Sequence, residues 1–319
     1  MVLGERPFRF GLQVGSAPGP DAWAARARRA EDLGFDAIVV PDHIVEGAPA
    51  PLAALGFLAA ATDRIRVGTM VLNNDFRHPA LLAREAAMVD LLSDGRLELG
   101  LGAGHAAPEY HELGLRFDPA RVRVERLEAS VAILRRLFDG ETVSVEGPHY
   151  RLHEHRLSPA RRPTLLVGGN GDRVLRLAAT AADIVGFSGL GRTRPDGQRH
   201  ETQWALDQID AKVALVRAAA ASRVDDLEFS VLVQHVAITS DREGTVEPIG
   251  RLTGADPTVL LTAPFLLIGT PGEIVEQLHE ARARWGFSYV VTRDAEATAP
   301  IIAALRDAGS LRSEAHREP

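Results

Sequence analysis

The sequence predicts an α/β protein of the (β/α)8 TIM-barrel class, and three observations point there. Eight short β-rich runs alternate with alanine-rich amphipathic segments, as repeated βα units around a parallel sheet require. The 319 residues suit one large barrel as well as two average domains. Polar residues gather just past the strands, where a barrel of this kind builds its active site.

The first strand is read at 8–14, followed by a helix over 21–34. The second strand, 36–40, leads to a helix at 50–62, and the third, 65–72, to one at 79–95. The fourth strand is 96–102; a long amphipathic segment at 119–140 follows it. Several of these helices stop at a glycine, as at Gly34, Gly95 and Gly140, where a left-handed cap carries no Cβ penalty. A hairpin at 141–152, centred on Gly147-Pro148, is inserted before the fifth strand at 163–169. Helix 172–181, strand 183–188, helix 201–221 and strand 228–239 come next, then helix 271–286, strand 287–293 and helix 297–309. Segments 189–200 and 240–264, rich in Gly, Pro and charge, read as excursions that form a lid, and 310–319 as a frayed tail. The expectation is one domain over 1–319.

Composition narrows the function. With 45% hydrophobic and 25% charged residues the chain resembles an ordinary soluble enzyme, and no apolar run approaches the roughly 20 residues that span a bilayer. No secretory leader is evident, so a cytoplasmic protein is expected. Cysteine is absent, which removes disulfides, thiolate ligands and a cysteine nucleophile. The net charge of −7 and scattered arginines argue against nucleic acid as a partner. Lys212 is the only lysine among 36 basic residues, so Schiff-base chemistry is not expected.

The strand ends carry the chemistry. Asp42 and His43 follow the second strand; Asn73, Asn74, Asp75, Arg77 and His78 follow the third; His105 and Glu109 follow the fourth. A histidine titrates near neutrality, and a neighbouring carboxylate can hold its tautomer or stabilise its cation. The fifth strand ends in Gly168-Gly169-Asn170-Gly171, where backbone amides opening a helix can take a phosphate; a plain tight turn is the alternative. The run LELGLGAGHAAPEY has dinucleotide-like glycines, but it follows the fourth strand and no long helix continues from it. Gly102 and Gly104 are therefore read as allowing close approach to a planar ligand. His153 and His155 have the spacing of a metal pair, yet they belong to the inserted hairpin and no carboxylate cluster accompanies them, so no metal is expected.

Taken together, RAEDLGFDAIVVPDH, TDRIRVGTMVLNNDFRHP, GLGAGHAAPEY, LLVGGNGDRVLRLAATAADIVGF and IGTPGEIVEQL resemble the bacterial luciferase-like superfamily, in its branch using coenzyme F420. The resemblance covers residues 10 to about 309. It implies that Asp42 and His43 stand next to the reactive cofactor ring and that a non-prolyl cis peptide at Met70-Val71 props the ring. It also implies that Asn73 lies near the phosphate and ribityl side, and that Gly168 and Gly169 offer amides to the cofactor phosphate. His105 departs from the pattern, since sugar-phosphate dehydrogenases of this branch have an acidic residue there.

The implied reaction is hydride transfer between deazaflavin C5 and a small organic substrate. His43, oriented or charged by Asp42, exchanges the proton, with His105 or Glu109 assisting. FMN is the alternative cofactor, in a two-component monooxygenase fed by a separate reductase, and a non-catalytic binding barrel is a third reading. Arg192, Arg194 and Arg199 are candidates for contact with an anionic substrate or the cofactor's acidic tail. The resemblance further implies a homodimer.

Overall fold

The structure, a computed structural model, describes residues 6–193 and 200–315. Eight parallel strands form a closed barrel: β1 (Arg9–Gln13), β2 (Ala37–Val40), β3 (Arg66–Thr69), β4 (Leu97–Gly102), β5 (Thr164–Gly168), β6 (Ile184–Phe187), β7 (Glu228–Leu232) and β8 (Phe287–Thr292). Each pairs with its sequence neighbour; the ring closes through β1 and β8, with Leu12 beside Thr292. Helices α1 (Pro20–Asp32), α2 (Pro51–Ala61), α3 (Pro79–Leu92), the short α4 (Ala107–Glu112), α5 (Ala120–Phe138), α6 (Asp172–Ala181) and α7 (Leu206–Ala220) follow in order. After them come α8 (Arg242–Thr253), α9 (Pro257–Thr262), α10 (Pro271–Trp285) and α11 (Ala295–Ala315).

Side chains alternate across a strand, and that alternation divides the core in two. Outward residues such as Phe10, Leu12, Ile38, Leu99 and Val185 join helix residues such as Ala27, Leu82 and Leu127 in the main cluster. Inward residues Ala37, Val39, Leu166, Ile184, Tyr289 and Val291 form a separate apolar layer with Met70. Below that layer the barrel floor is ionic. The Glu98 carboxylate accepts from the guanidinium of Arg9, from Arg66 Nε at 2.7 Å and from the Tyr289 hydroxyl at 2.9 Å, and Arg9 also reaches Glu228 at 2.6 Å. Burial and then Glu98 push the Tyr289 hydroxyl well above its usual range, so it remains a donor. The polar floor closes the amino end and leaves the carboxyl end open for a cavity.

Caps set the helix ends. Gly34, Gly95 and Gly140 all have positive φ, at 88°, 78° and 79°, as their positions required. Thr270 and Glu273 form a reciprocal capping box that starts α10, satisfying two otherwise unpaired amides.

Several elements differ from expectation. The run 65–72 is two strands, because the Met70–Val71 peptide is cis and turns the chain; Leu72–Asn73 then pairs with β4, opposite Leu101 and Gly102. The run 228–239 also divides: β7 ends at Leu232, and His235–Ile238 pairs in parallel with Leu266–Gly269, a strand absent from the sequence reading. The hairpin extends further, as Thr142–Glu146 against Arg151–Arg156. The expected excursion at 240–264 is mostly α8 and α9, with Asp241 and Asp256 accepting amide hydrogens at their starts. Leu190–Thr193 pairs with His200–Thr202; Arg194 and Arg199 lie outside the described residues, as does the side chain of Arg192. Helix α11 continues to Ala315 through much of the expected tail. Among the described residues, no helix is long and apolar enough to cross a membrane.

Candidate active site

A cavity of about 1580 Å³ opens at the carboxyl ends of the strands. Asp42, His43, Met70, Val71, Asn73, Gly102, Gly104, His105, Glu109, Gly168, Gly169, Asn170 and Gly171 line it, whereas Asn74, Asp75, Arg77 and His78 do not. Single-ligand pockets are commonly about 300–1,000 Å³, so a cofactor and a substrate fit here together.

The side chain that meets His43 is not the one expected. His43 Nδ1 lies 2.7 Å from Glu109 Oε1 on α4. An ionised carboxylate only accepts, so Nδ1 carries the hydrogen and Nε2 is left as the ring's second functional atom. The His43 side chain is 39% exposed and that of Glu109 only 8%, so the imidazole is accessible while its partner is enclosed. The His105 ring stands edge-on to His43, with centroids 5.5 Å apart.

Asp42, expected to orient His43, serves a different group. Its carboxylate takes both Arg77 terminal nitrogens, at 2.5 and 3.0 Å, and the Asn73 amide at 2.9 Å. Both residues line the cavity, but Asp42 bonds to the loop after β3 while His43 bonds to α4. Arg77 was visible past the third strand, but nothing local in the sequence assigns it to Asp42.

Asn73 is held from two sides. Its side-chain oxygen accepts from the Tyr110 hydroxyl at 3.0 Å and the Asp75 amide at 3.1 Å. Burial, then Asp75, raises the Tyr110 hydroxyl well above its usual range, keeping it a donor. Asp75 is itself raised by burial, against the pull of Arg126.

The glycines of the LELGLGAGHAAPEY run, and Gly168, lie against other segments of the protein. A Cβ at Gly100 would overlap the Thr69 carbonyl, one at Gly102 would lie 2.7 Å from Val71 Cγ2, and Gly168 would bring one to 3.0 Å of Val71 Cγ1. They make room for the Met70–Val71 bulge against β4 and β5, so the close approach is between protein segments. Gly104, at φ 73°, packs under Tyr110 and Asn73.

The loop after β5 also needs one correction. The Gly169 amide is committed to the Gly186 carbonyl at 3.2 Å, which leaves the amides that open α6 to meet an anion. Lys212 from α7 donates to the Asn170 carbonyl. The C=O and N–H of one trans peptide point oppositely, so this bond aims the Gly171 N–H away from Lys212. Gly171 borders open cavity, and α6 has no side-chain cap at its start. Burial lowers the pKa of Lys212. In the hairpin, His153 is exposed beside Glu146 at 3.3 Å, and no group of metal-ligating side chains occurs among the described residues.

Known proteins agree with this architecture. The family model for luciferase-like monooxygenases matches residues 6–253. An F420-dependent glucose-6-phosphate dehydrogenase of Microbacterium testaceum is 29% identical over 315 residues, covering 90% of this chain and 92% of that one. The F420-dependent tetrahydromethanopterin reductase of Methanopyrus kandleri superposes with a TM-score of 0.70 at 17% identity, covering 93% and 97%. An EDTA monooxygenase from Chelativorans sp. BNC1 does so at 0.75 and 16%, covering 95% and 94%. With its eight-stranded barrel and a match over residues 6–253, the chain belongs to the luciferase-like monooxygenase family.

Proposed function

We propose that this oxidoreductase uses coenzyme F420 to move a hydride to or from a small organic substrate, with His43 and Glu109 handling the accompanying proton. The observation that carries the reading is the His43–Glu109 contact of 2.7 Å inside the cavity. The residues present fit such a cofactor. The Met70–Val71 bulge offers a wall for a flat ring, Asn73 stands beside it, and the amides opening α6 suit a phosphate. When bound, the deazaflavin supplies or accepts the hydride at C5.

His43 Nε2 takes or returns the substrate proton, while Glu109 holds the ring through Nδ1–H and stabilises the imidazolium that forms. His105 contacts His43 and limits how that ring turns. Asp42, neutralised by Arg77, anchors the β2 end to the β3 loop that presents Asn73.

The F420-dependent relative of 29% identity supports F420; the monooxygenase of the same fold keeps FMN as the second reading. Equilibrium titrations of F420 and FMN under matched conditions separate them. F420 is expected to bind at least about tenfold tighter, a difference of roughly 1.4 kcal/mol. Tighter FMN binding, with oxygen-dependent turnover of reduced FMN from a separate reductase, would establish the monooxygenase instead, and failure of both cofactors would mark a binding protein.

A homodimer is proposed for the α2–α3 face. Leu81, Met88 and Leu92 are 59%, 49% and 67% exposed along α3, and Phe57 on α2 is 42% exposed, an apolar stripe of the kind that marks an interface. Met88→Glu with Leu92→Glu should halve the mass seen by light scattering; an unchanged mass places the contact elsewhere or removes it.

A further inference from the structure

At the rim of the barrel interior, one layer above Val291, stands Arg293. Its Nε donates to the Gln13 side-chain oxygen at 2.8 Å and its NH1 to the Gln234 side-chain oxygen at 3.1 Å. Neither amide is free to turn. Gln13 Nε2 is tied to the Met70 carbonyl at 3.0 Å, and Gln234 Nε2 to the Ser188 and Leu232 carbonyls at 3.0 and 3.2 Å. Both glutamines must therefore present oxygen to the guanidinium. Two carboxylates would make the same hydrogen bonds and cancel the charge; two amides position it and leave it intact.

The nearby acids are engaged elsewhere. Asp294 accepts the Ala297 amide at 2.9 Å at the start of α11, and Glu296 takes two bonds from Arg29 at 3.0 Å each. Burial alone lowers the pKa of Arg293, with no carboxylate acting against it. The NH2 group has no protein partner among the described residues, and Arg293 lines the cavity together with Gln13 and Met70. Gln13 thus links the charge directly to the bulge proposed to support the cofactor ring.

We propose that Arg293 is a specificity residue that binds an anionic group of the substrate, a phosphate or a carboxylate. The inference rests on the cofactor reading above, because it assigns the α6 amides to the cofactor phosphate and this charge, three strands round the barrel, to the substrate. A guanidinium edge takes such an oxyanion through two parallel hydrogen bonds. An anion docked there places the rest of the substrate over the Met70 side of the cavity.

The test titrates inorganic phosphate by calorimetry into F420-saturated protein, as wild type, Arg293→Gln and Arg293→Lys, so that the cofactor already fills the cradle after β5. Saturable binding is expected in wild type, weakened at least about tenfold in Arg293→Gln and partly restored in Arg293→Lys. All three should hold F420 equally, which also shows that the variants fold. Equal phosphate affinity in Arg293→Gln overturns the proposal. Acetate run in parallel distinguishes carboxylate from phosphate, and binding of neither anion by wild type also overturns it. Failure of F420 to bind falls on the cofactor reading alone; the same titration on FMN-loaded protein then still tests Arg293.

Discussion

Replacing His43 with alanine is expected to lower kcat by about 10²- to 10⁴-fold, the range for losing a positioned general acid–base. Cofactor affinity should change little, because the ring contacts proposed here come from the Met70–Val71 bulge and the phosphate contacts from α6. Cofactor absorbance follows turnover, and fluorescence titration follows binding. Glu109→Ala should reproduce much of the kinetic loss, since an imidazole without its carboxylate is free to adopt the other tautomer. Glu109→Gln should lose less, as its amide oxygen still accepts from Nδ1–H. Retention of wild-type turnover by His43→Ala would remove this residue from the mechanism, and a Glu109→Ala variant with full activity would remove the pairing.

Removing Arg77 is expected to cost stability more than chemistry. Asp42 has a side chain only 2% exposed, and Arg77 is its one charged hydrogen-bond partner among the described residues. Arg77→Met leaves that carboxylate enclosed with the Asn73 amide alone, and breaking an enclosed pair from one side typically costs about 3–5 kcal/mol. Urea denaturation should show the loss as a lower midpoint. Adding Asp42→Asn in the same chain removes the stranded charge, so the double variant should be more stable than Arg77→Met alone. A cost below about 1 kcal/mol for Arg77→Met would mean that the pair behaves like a solvated surface bridge.

These two experiments divide what local sequence shows from what it hides. The residues of the site were legible one by one, because a parallel barrel gathers whatever follows its strands. Their pairing was not. Asp42 and His43 are neighbours in sequence yet bond to different elements, and His43 and Glu109 meet across 66 residues. Tyr110 was read only as part of a motif, although it holds Asn73. Gln13 and Arg293 stand at strand ends that read as apolar runs, yet their inward register makes them neighbours across the β1–β8 seam.

Strand and helix placement was largely determined by the sequence itself, since alternation, helical periodicity and glycine caps are local properties. The breaks in two long strands, at Met70–Val71 and after Leu232, leave no local mark, because an apolar run keeps its appearance when the chain turns out of one sheet and into another. Tertiary structure alone decided what the glycines are for. Gly100, Gly102 and Gly168 look the same in sequence whether they face a ligand or another strand, and only the position of Val71 shows that they accommodate protein. It likewise decided that Asp42 pairs with Arg77, that Glu109 rather than Asp42 meets His43, and that two glutamine amides meet Arg293. Each depends on distance and direction between groups far apart in the chain, and electrostatic partnership is set by that geometry rather than by residue type.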